Sequence, residues 1–118
     1  MAKNKPQNLF DLIPSVNERI RIETGEDKLL QLVFPRFRSA WLNRRLTPKG
    51  RSPYIHIKLE EHGSAVVQLI DGQRSVREIA LALAEHFEQE PGYEHRIAVF
   101  IEHLRRDNYI SLRQPEVL

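Results

Sequence analysis

At about residue 60 the spacing of apolar residues changes, and that change limits the folds open to the chain. Tyr54–Leu59 (YIHIKL) sets Ile55, Ile57 and Leu59 on one side and Tyr54, His56 and Lys58 on the other, the period of two expected of a half-buried strand. From Glu60 onward the spacing is three and four. Glu60–Ile70 directs Val66, Leu69 and Ile70 inward, with two carboxylates in a first turn where the helix dipole favours them. Asp71-Gly72 ends this helix. Ser75-Val-Arg-Glu78 is a capping box, in which the serine hydroxyl and the glutamate each satisfy an orphan N–H, and it opens a second helix running to about Glu88. Its stripe is Val76, Ile79, Ala80, Leu83, Ala84 and Phe87. Pro91-Gly92 precedes a third helix, Tyr93–Asp107, with Ile97, Phe100, Ile101 and Leu104 on its apolar face and Asn108 as its stop. Tyr109–Arg113 either forms a short last strand or covers the core.

Upstream, Val16–Glu23 (VNERIRIE) alternates Val16, Ile20 and Ile22 with polar residues and reads as one strand. Thr24-Gly25-Glu26-Asp27 supplies a turn, Leu29–Phe34 a second strand, and Pro35 its end. The order strand, strand, strand, helix, helix, helix gives an α+β fold, a small antiparallel sheet with helices on one face. With 118 residues the chain is expected to form a single domain over residues 16–113, with a polar lead-in at 1–15, a basic insertion at 35–53 and a tail at 114–118.

No cysteine is present, which removes disulfides, thiolate nucleophiles and cysteine-ligated metals. Neither a secretory signal nor an apolar run near the ~20 residues of a membrane span is seen, so a cytoplasmic address without membrane contact is the expectation. The net charge of +2 is unevenly placed: residues 1–53 hold 11 basic and 5 acidic side chains, residues 54–118 hold 7 and 11. Arg36, Arg38, Arg44, Arg45, Lys49 and Arg51 lie between Pro35 and Pro53 with no acidic neighbour in that stretch. Such a run is either a footprint for phosphate or acidic peptide or a solvated connection. Phe37, Trp41 and Leu42 within it either tilt it toward contact or tuck it against the core.

The residue types that could carry chemistry form no convergent cluster. The histidines, His56, His62, His86, His95 and His103, include no i, i+4 pair, so no metal is expected. Glu60 and Glu61 diverge on a helix, and His62-Gly63-Ser64-Ala65 lacks the flanking glycines of a nucleophile elbow. The five glycines are too scattered to cradle phosphate. The chain is expected to be neither an enzyme nor the holder of a cofactor.

Residues 54–87, with a strand ending at Leu59, then Leu69-Ile70-Asp71-Gly72 and Ser75-Val76-x-Glu78-Ile79, resemble the PqqD family of pyrroloquinoline-quinone (PQQ) biosynthesis. Phe100-Ile101-x-x-Leu104 followed by Tyr109-Ile110 resembles that family's closing helix. The resemblance implies a winged-helix-like domain, a three-stranded sheet on three helices, without catalytic residues. It also implies an adaptor, the recognition element for a ribosomally made, modified peptide. Such adaptors take the leader of the precursor as an added strand between the third strand and the third helix and present it to a modifying enzyme, often of the radical-SAM type. The basic insertion departs from the family, whose second and third strands are joined by a short turn.

An open sheet edge offers unpaired N–H and C=O groups to an extended peptide, with side chains adding selectivity. The candidate peptide-binding residues are Tyr54, Ile55, His56, Ile57 and Lys58 on the strand, and Arg96, Val99, Phe100 and His103 on the helix. Phe100 also fits plain core packing. The leading rival is nucleic-acid binding, since three helices and a wing also read DNA. Yet residues 76–108 hold Glu78, Glu85, Glu88, Glu90, Glu94, Glu102 and Asp107 against Arg77, Arg96, Arg105 and Arg106, which disfavours a phosphate contact there and leaves only the basic insertion for that role. A third reading docks the insertion on a larger acidic protein. A free edge or an exchanged hairpin also offers a route to a homodimer.

Overall fold

The computed structural model describes residues 8–36, 40–47 and 49–115. A 3-10 turn at Leu9–Asp11 leads into β1 (Ile13–Val16), β2 (Arg21–Thr24), β3 (Leu30–Pro35), α1 (Ala40–Leu46) and β4 (Tyr54–Lys58). There follow α2 (Glu61–Gln68), α3 (Val76–Ala82), α4 (Tyr93–Arg106) and β5 (Ile110–Arg113). The fold is α+β, as the change of period requires. The chain divides into two compact units, Glu18–Ser64 and the pair of segments Met1–Asn17 and Ala65–Leu118.

The first unit is built on an antiparallel sheet of order β2-β3-β4. The turn after Thr24 closes with Gly25 N–H on Leu29 O at 2.8 Å, and Asp27 Oδ1 accepts the Leu29 N–H. Register pairs Ile22 with Leu32 and Leu32 with Ile57, so one face carries the aliphatic residues that alternation assigns to it. Central-strand Leu32, Val33 and Phe34 are all buried, whereas Ile22, on an outer strand, is 38% exposed. The start of β3 is tied down by Ser64, a buried hydroxyl that accepts the Leu30 N–H at 2.9 Å.

The second unit holds α3, α4 and the two-stranded pair β1-β5. The single strand expected over Val16–Glu23 is instead two. Val16 closes β1 opposite Ile110, Asn17 N–H bonds Tyr109 O at 3.0 Å, and the chain turns before β2 begins at Arg21. Alternation does not distinguish one strand from two that keep the same phase across a turn. The capping box forms as expected: Ser75 Oγ accepts from Glu78 N–H at 3.1 Å, and Glu78 Oε1 accepts from Ser75 N–H at 2.9 Å. The helix it opens stops at Ala82 rather than near Glu88: Leu83, at φ −101° and ψ 9°, caps it, Ala84 N–H bonds Leu81 O three residues back, and the chain continues in turns to Glu88 and Gln89, both at positive φ (54° and 53°). Leu83 and Phe87 nevertheless stay buried. Asn108, at φ 64°, stops α4, and Tyr109 N–H returns to Leu104 O.

The break at Asp71-Gly72 is a built junction. Asp71 Oδ1 accepts the N–H groups of Gln73 and Arg74, each at 2.9 Å. Gly72 takes φ 79°, donates to Pro14 O and accepts from the Arg113 guanidinium. The backbone donors of Arg74 and Gln73, with the Arg74 charge, hold the Asp71 carboxyl below its ordinary pKa. A depressed pKa means that this contribution is complete above the unfolded-state value and is lost as the pH falls through the folded one. Asp71→Asn is therefore expected to lower hydrogen-exchange protection at Gln73 and Arg74 at pH 7, and to flatten the loss of stability below roughly pH 4. An unchanged acid profile would contradict the role given to Asp71.

Candidate functional site

Two backbone hydrogen bonds fix which groups of β4 are occupied. Leu59 N–H bonds Leu30 O at 2.9 Å, and Arg36 N–H bonds Pro53 O at 2.8 Å. Hydrogen-bonded pairs alternate in an antiparallel ladder, so residues 53, 55, 57 and 59 face β3. The N–H and C=O groups of Tyr54, His56 and Lys58 then point to the outer edge. Tyr54 N–H is capped by Ser52 Oγ at 3.1 Å; no backbone partner meets the outward groups of His56 and Lys58 among the described residues. β4 is thus an edge with a row of outward donors and acceptors. β2, the other outer strand, turns only Ile22 and Thr24 outward by the same alternation.

Side chains on β4 follow the sequence pattern. Tyr54, His56 and Lys58 are exposed, Ile55 and Ile57 half-buried. The Arg21 guanidinium stands 5.6 Å from the Tyr54 ring centroid and pairs with Glu23 at 3.1 Å, so the open face beside the edge is polar and partly aromatic.

In the other unit, Arg96, Val99 and His103 are exposed along α4 at helical spacing, and Phe100 beside them is half-buried. Arg96 pairs with Glu90 at 3.2 Å and lies 5.8 Å from the Phe87 ring centroid. The buried face of α4 consists of Tyr93, Ile97, Ala98, Ile101 and Leu104, and Tyr93 donates its hydroxyl to Ala80 O at 3.1 Å. Three of the four arginines on these helices are already paired: Arg77 with Asp11, Arg96 with Glu90 and Arg105 with Glu102. Arg105 holds the Glu102 carboxyl below its usual range through a direct hydrogen bond.

The described part of the basic segment includes a helix, α1. Arg44 and Arg45 sit in the last turn of α1, where cations suit the helix dipole, and Lys49 and Arg51 are exposed. The Arg36 guanidinium donates to Ser52 O at 3.2 and 3.3 Å, binding the end of β3 to the approach to β4. Arg38 lies outside the described residues. Neither the cap that Ser52 places on Tyr54 N–H nor the bond from Leu30 N–H to Ser64 was read from the sequence, where Ser64 was weighed only as a nucleophile; the Ser64 partner lies 34 residues away and leaves no local signal. Among the described residues no group of three His, Asp or Glu side chains is placed to hold a metal, and no helix is long and apolar enough to cross a membrane.

The family model for coenzyme PQQ synthesis protein D (PqqD) matches residues 53–110, which run from the approach to β4 to the start of β5. The PqqA binding protein of Klebsiella pneumoniae is 32% identical over 71 residues, 60% of this chain and 72% of the relative. That of Azotobacter vinelandii is 34% identical over 56 residues, 48% and 61% of the two chains. No solved structure matches. The β2-β3 hairpin and α1 precede the segment matched by the family model. A match spanning β4 through α4, joined to a relative that shares almost a third of its residues over nearly three quarters of its length, makes this chain a member of the PqqD family.

Proposed function

We propose that the protein is a non-catalytic adaptor that captures the leader of a ribosomally made precursor peptide as a fourth strand on β4 and presents it to a modifying enzyme. The observation that carries this reading is the outer edge of β4, where the outward N–H and C=O groups of His56 and Lys58 lack a backbone partner among the described residues. Main-chain bonding of this kind supplies affinity with little dependence on sequence, and the side chains beside it supply choice. Tyr54, His56 and Lys58 flank the added strand; the exposed face of α4, with Arg96, Val99, Phe100 and His103, offers a second set of peptide contacts. The names of the relatives point to PqqA as the type of peptide. By the family resemblance the modifying enzyme is of the radical-SAM type.

Chemical-shift mapping with PqqA and with the precursor encoded nearest this gene tests the proposal. Saturable shifts at residues 54–59 and 93–107 are expected. Shifts confined elsewhere, or none with either peptide, would overturn it. Duplex DNA titrated at two salt concentrations checks the rival: a steep salt dependence with contacts at Arg44–Arg51 would favour nucleic acid.

A further inference from the structure

The sheet unit is electrically lopsided along its strands. Glu18–Ser64 holds ten basic and six acidic side chains, and they are sorted by end. At the end where β4 begins lie Arg19, Arg21 and Arg36 against the one carboxylate Glu18, and the segment that returns the chain to that end carries Arg44, Lys49 and Arg51. At the other end Glu26, Asp27, Glu60 and Glu61 outnumber Lys28 and Lys58. A cavity of about 520 Å³ opens there, lined by Glu26, Asp27 and Lys58 among others. Arg21 is paired with Glu23, and Arg36 bonds a neutral carbonyl that leaves its charge uncancelled.

The five residues of β4 span roughly 17 Å, about twice the screening length of physiological salt. A peptide laid along this edge therefore meets two separate electrostatic environments, a cationic one beside Tyr54 and an anionic one beyond Lys58.

Building on the adaptor reading above, we infer that the β4 edge selects its peptide by charge register: the flank beside Tyr54 is acidic, and the flank beyond Lys58 is neutral or basic. Hydrogen bonding along an edge specifies neither sequence nor alignment, since a slip of two residues restores every bond. Charge at the two ends removes that freedom. A slip carrying a carboxylate toward Glu60 would exchange attraction for repulsion. The basic insertion thus acquires a role in alignment.

Three synthetic peptides with one Val/Thr strand core test this. One carries three Glu on one flank and three Gln on the other, the second reverses those flanks, and the third carries Gln on both. At low salt the better Glu-flanked peptide is expected to bind about tenfold tighter than the all-Gln peptide, an advantage that half-molar salt removes. A nitroxide on its acidic end should broaden the amides of Arg51, Ser52 and Tyr54 and spare Leu59–Glu61. The double variant Lys49→Gln/Arg51→Gln should reduce the advantage several-fold while binding the all-Gln peptide unchanged. Equal broadening at both ends, or an advantage that survives unchanged in the double variant, would overturn the register rule. If the all-Gln peptide binds β4 and glutamates add nothing, the rule fails and the adaptor reading stands. If none of the three binds while PqqA still shifts residues 54–59, the rule fails and the adaptor reading stands; if PqqA fails as well, the adaptor reading falls too.

Discussion

A His56→Pro variant is expected to lose leader binding by more than about tenfold while keeping its melting temperature within a few degrees of the parent. Proline lacks an N–H and is tolerated in a sheet only where that group faces away from the ladder. The pairing of Leu59 with Leu30 and of Arg36 with Pro53 places the His56 N–H on the outer edge, so the bonds from β4 to β3 survive the substitution. What disappears is a donor that the peptide would use. Loss of one hydrogen bond, with a peptide carbonyl left unsatisfied, is worth about 1–3 kcal/mol, and the middle of that range is a weakening of roughly thirtyfold. Ile57→Pro is the matched contrast. Its N–H faces β3, so the same chemistry one residue along should break the ladder and unfold much of the sheet unit. His56→Ala, which retains the N–H, should bind nearly as well as the parent if the main chain carries the affinity. Isothermal titration with PqqA, beside thermal melts, separates the three. Undiminished binding by His56→Pro would place the peptide elsewhere.

The outward and inward side chains of β4 were legible in YIHIKL because a strand's two faces are written in adjacent residues. The edge itself was not, since whether β4 ends the sheet depends on what lies beside it, a property of the whole topology. Similar reasoning separates the other successes from the misses. The Ser75–Glu78 box is a local pattern and stands as read; of the α4 stripe Ile97, Ile101 and Leu104 are buried, whereas Phe100 is only half-buried and Tyr93 and Ala98 complete the buried face. β1 was hidden because IPSV contains a proline and finds its partner, Ile110–Arg113, at the opposite end of the chain. A four-residue strand without a neighbouring hairpin leaves no local trace. Glu88 and Gln89 carry no local sign of positive φ, so the apolar spacing runs on past Ala82 through turns that end with Phe87 stacked on Tyr93, rings 5.6 Å apart. The basic run was legible as charge, and its placement at one end of the sheet emerged only with the register of β2, β3 and β4.

The helical unit has its own large effect to test, since Ile79 and Leu81 lie two residues apart on α3 yet face opposite ways. Ile79 is 0% exposed, as is Ile101 on α4, whereas Leu81 is 68% exposed. Removing three buried carbons loses their transfer free energy and leaves a cavity that close-packed neighbours fill only in part. Ile79→Ala and Ile101→Ala are each expected to cost about 2–5 kcal/mol. A chain of this size has about 5–15 kcal/mol in all, so either variant should lower the melting temperature by roughly 10–20 °C. Leu81→Ala should stay within about 0.5 kcal/mol of the parent, because most of its side chain is already in water and alanine is the better helix former. Urea unfolding at constant slope measures all three. Comparable losses at Ile79 and Leu81 would mean that the outward face of α3 is covered in solution. If Leu81→Ala instead keeps its stability but binds the leader more weakly, the outward face of α3 is a peptide contact.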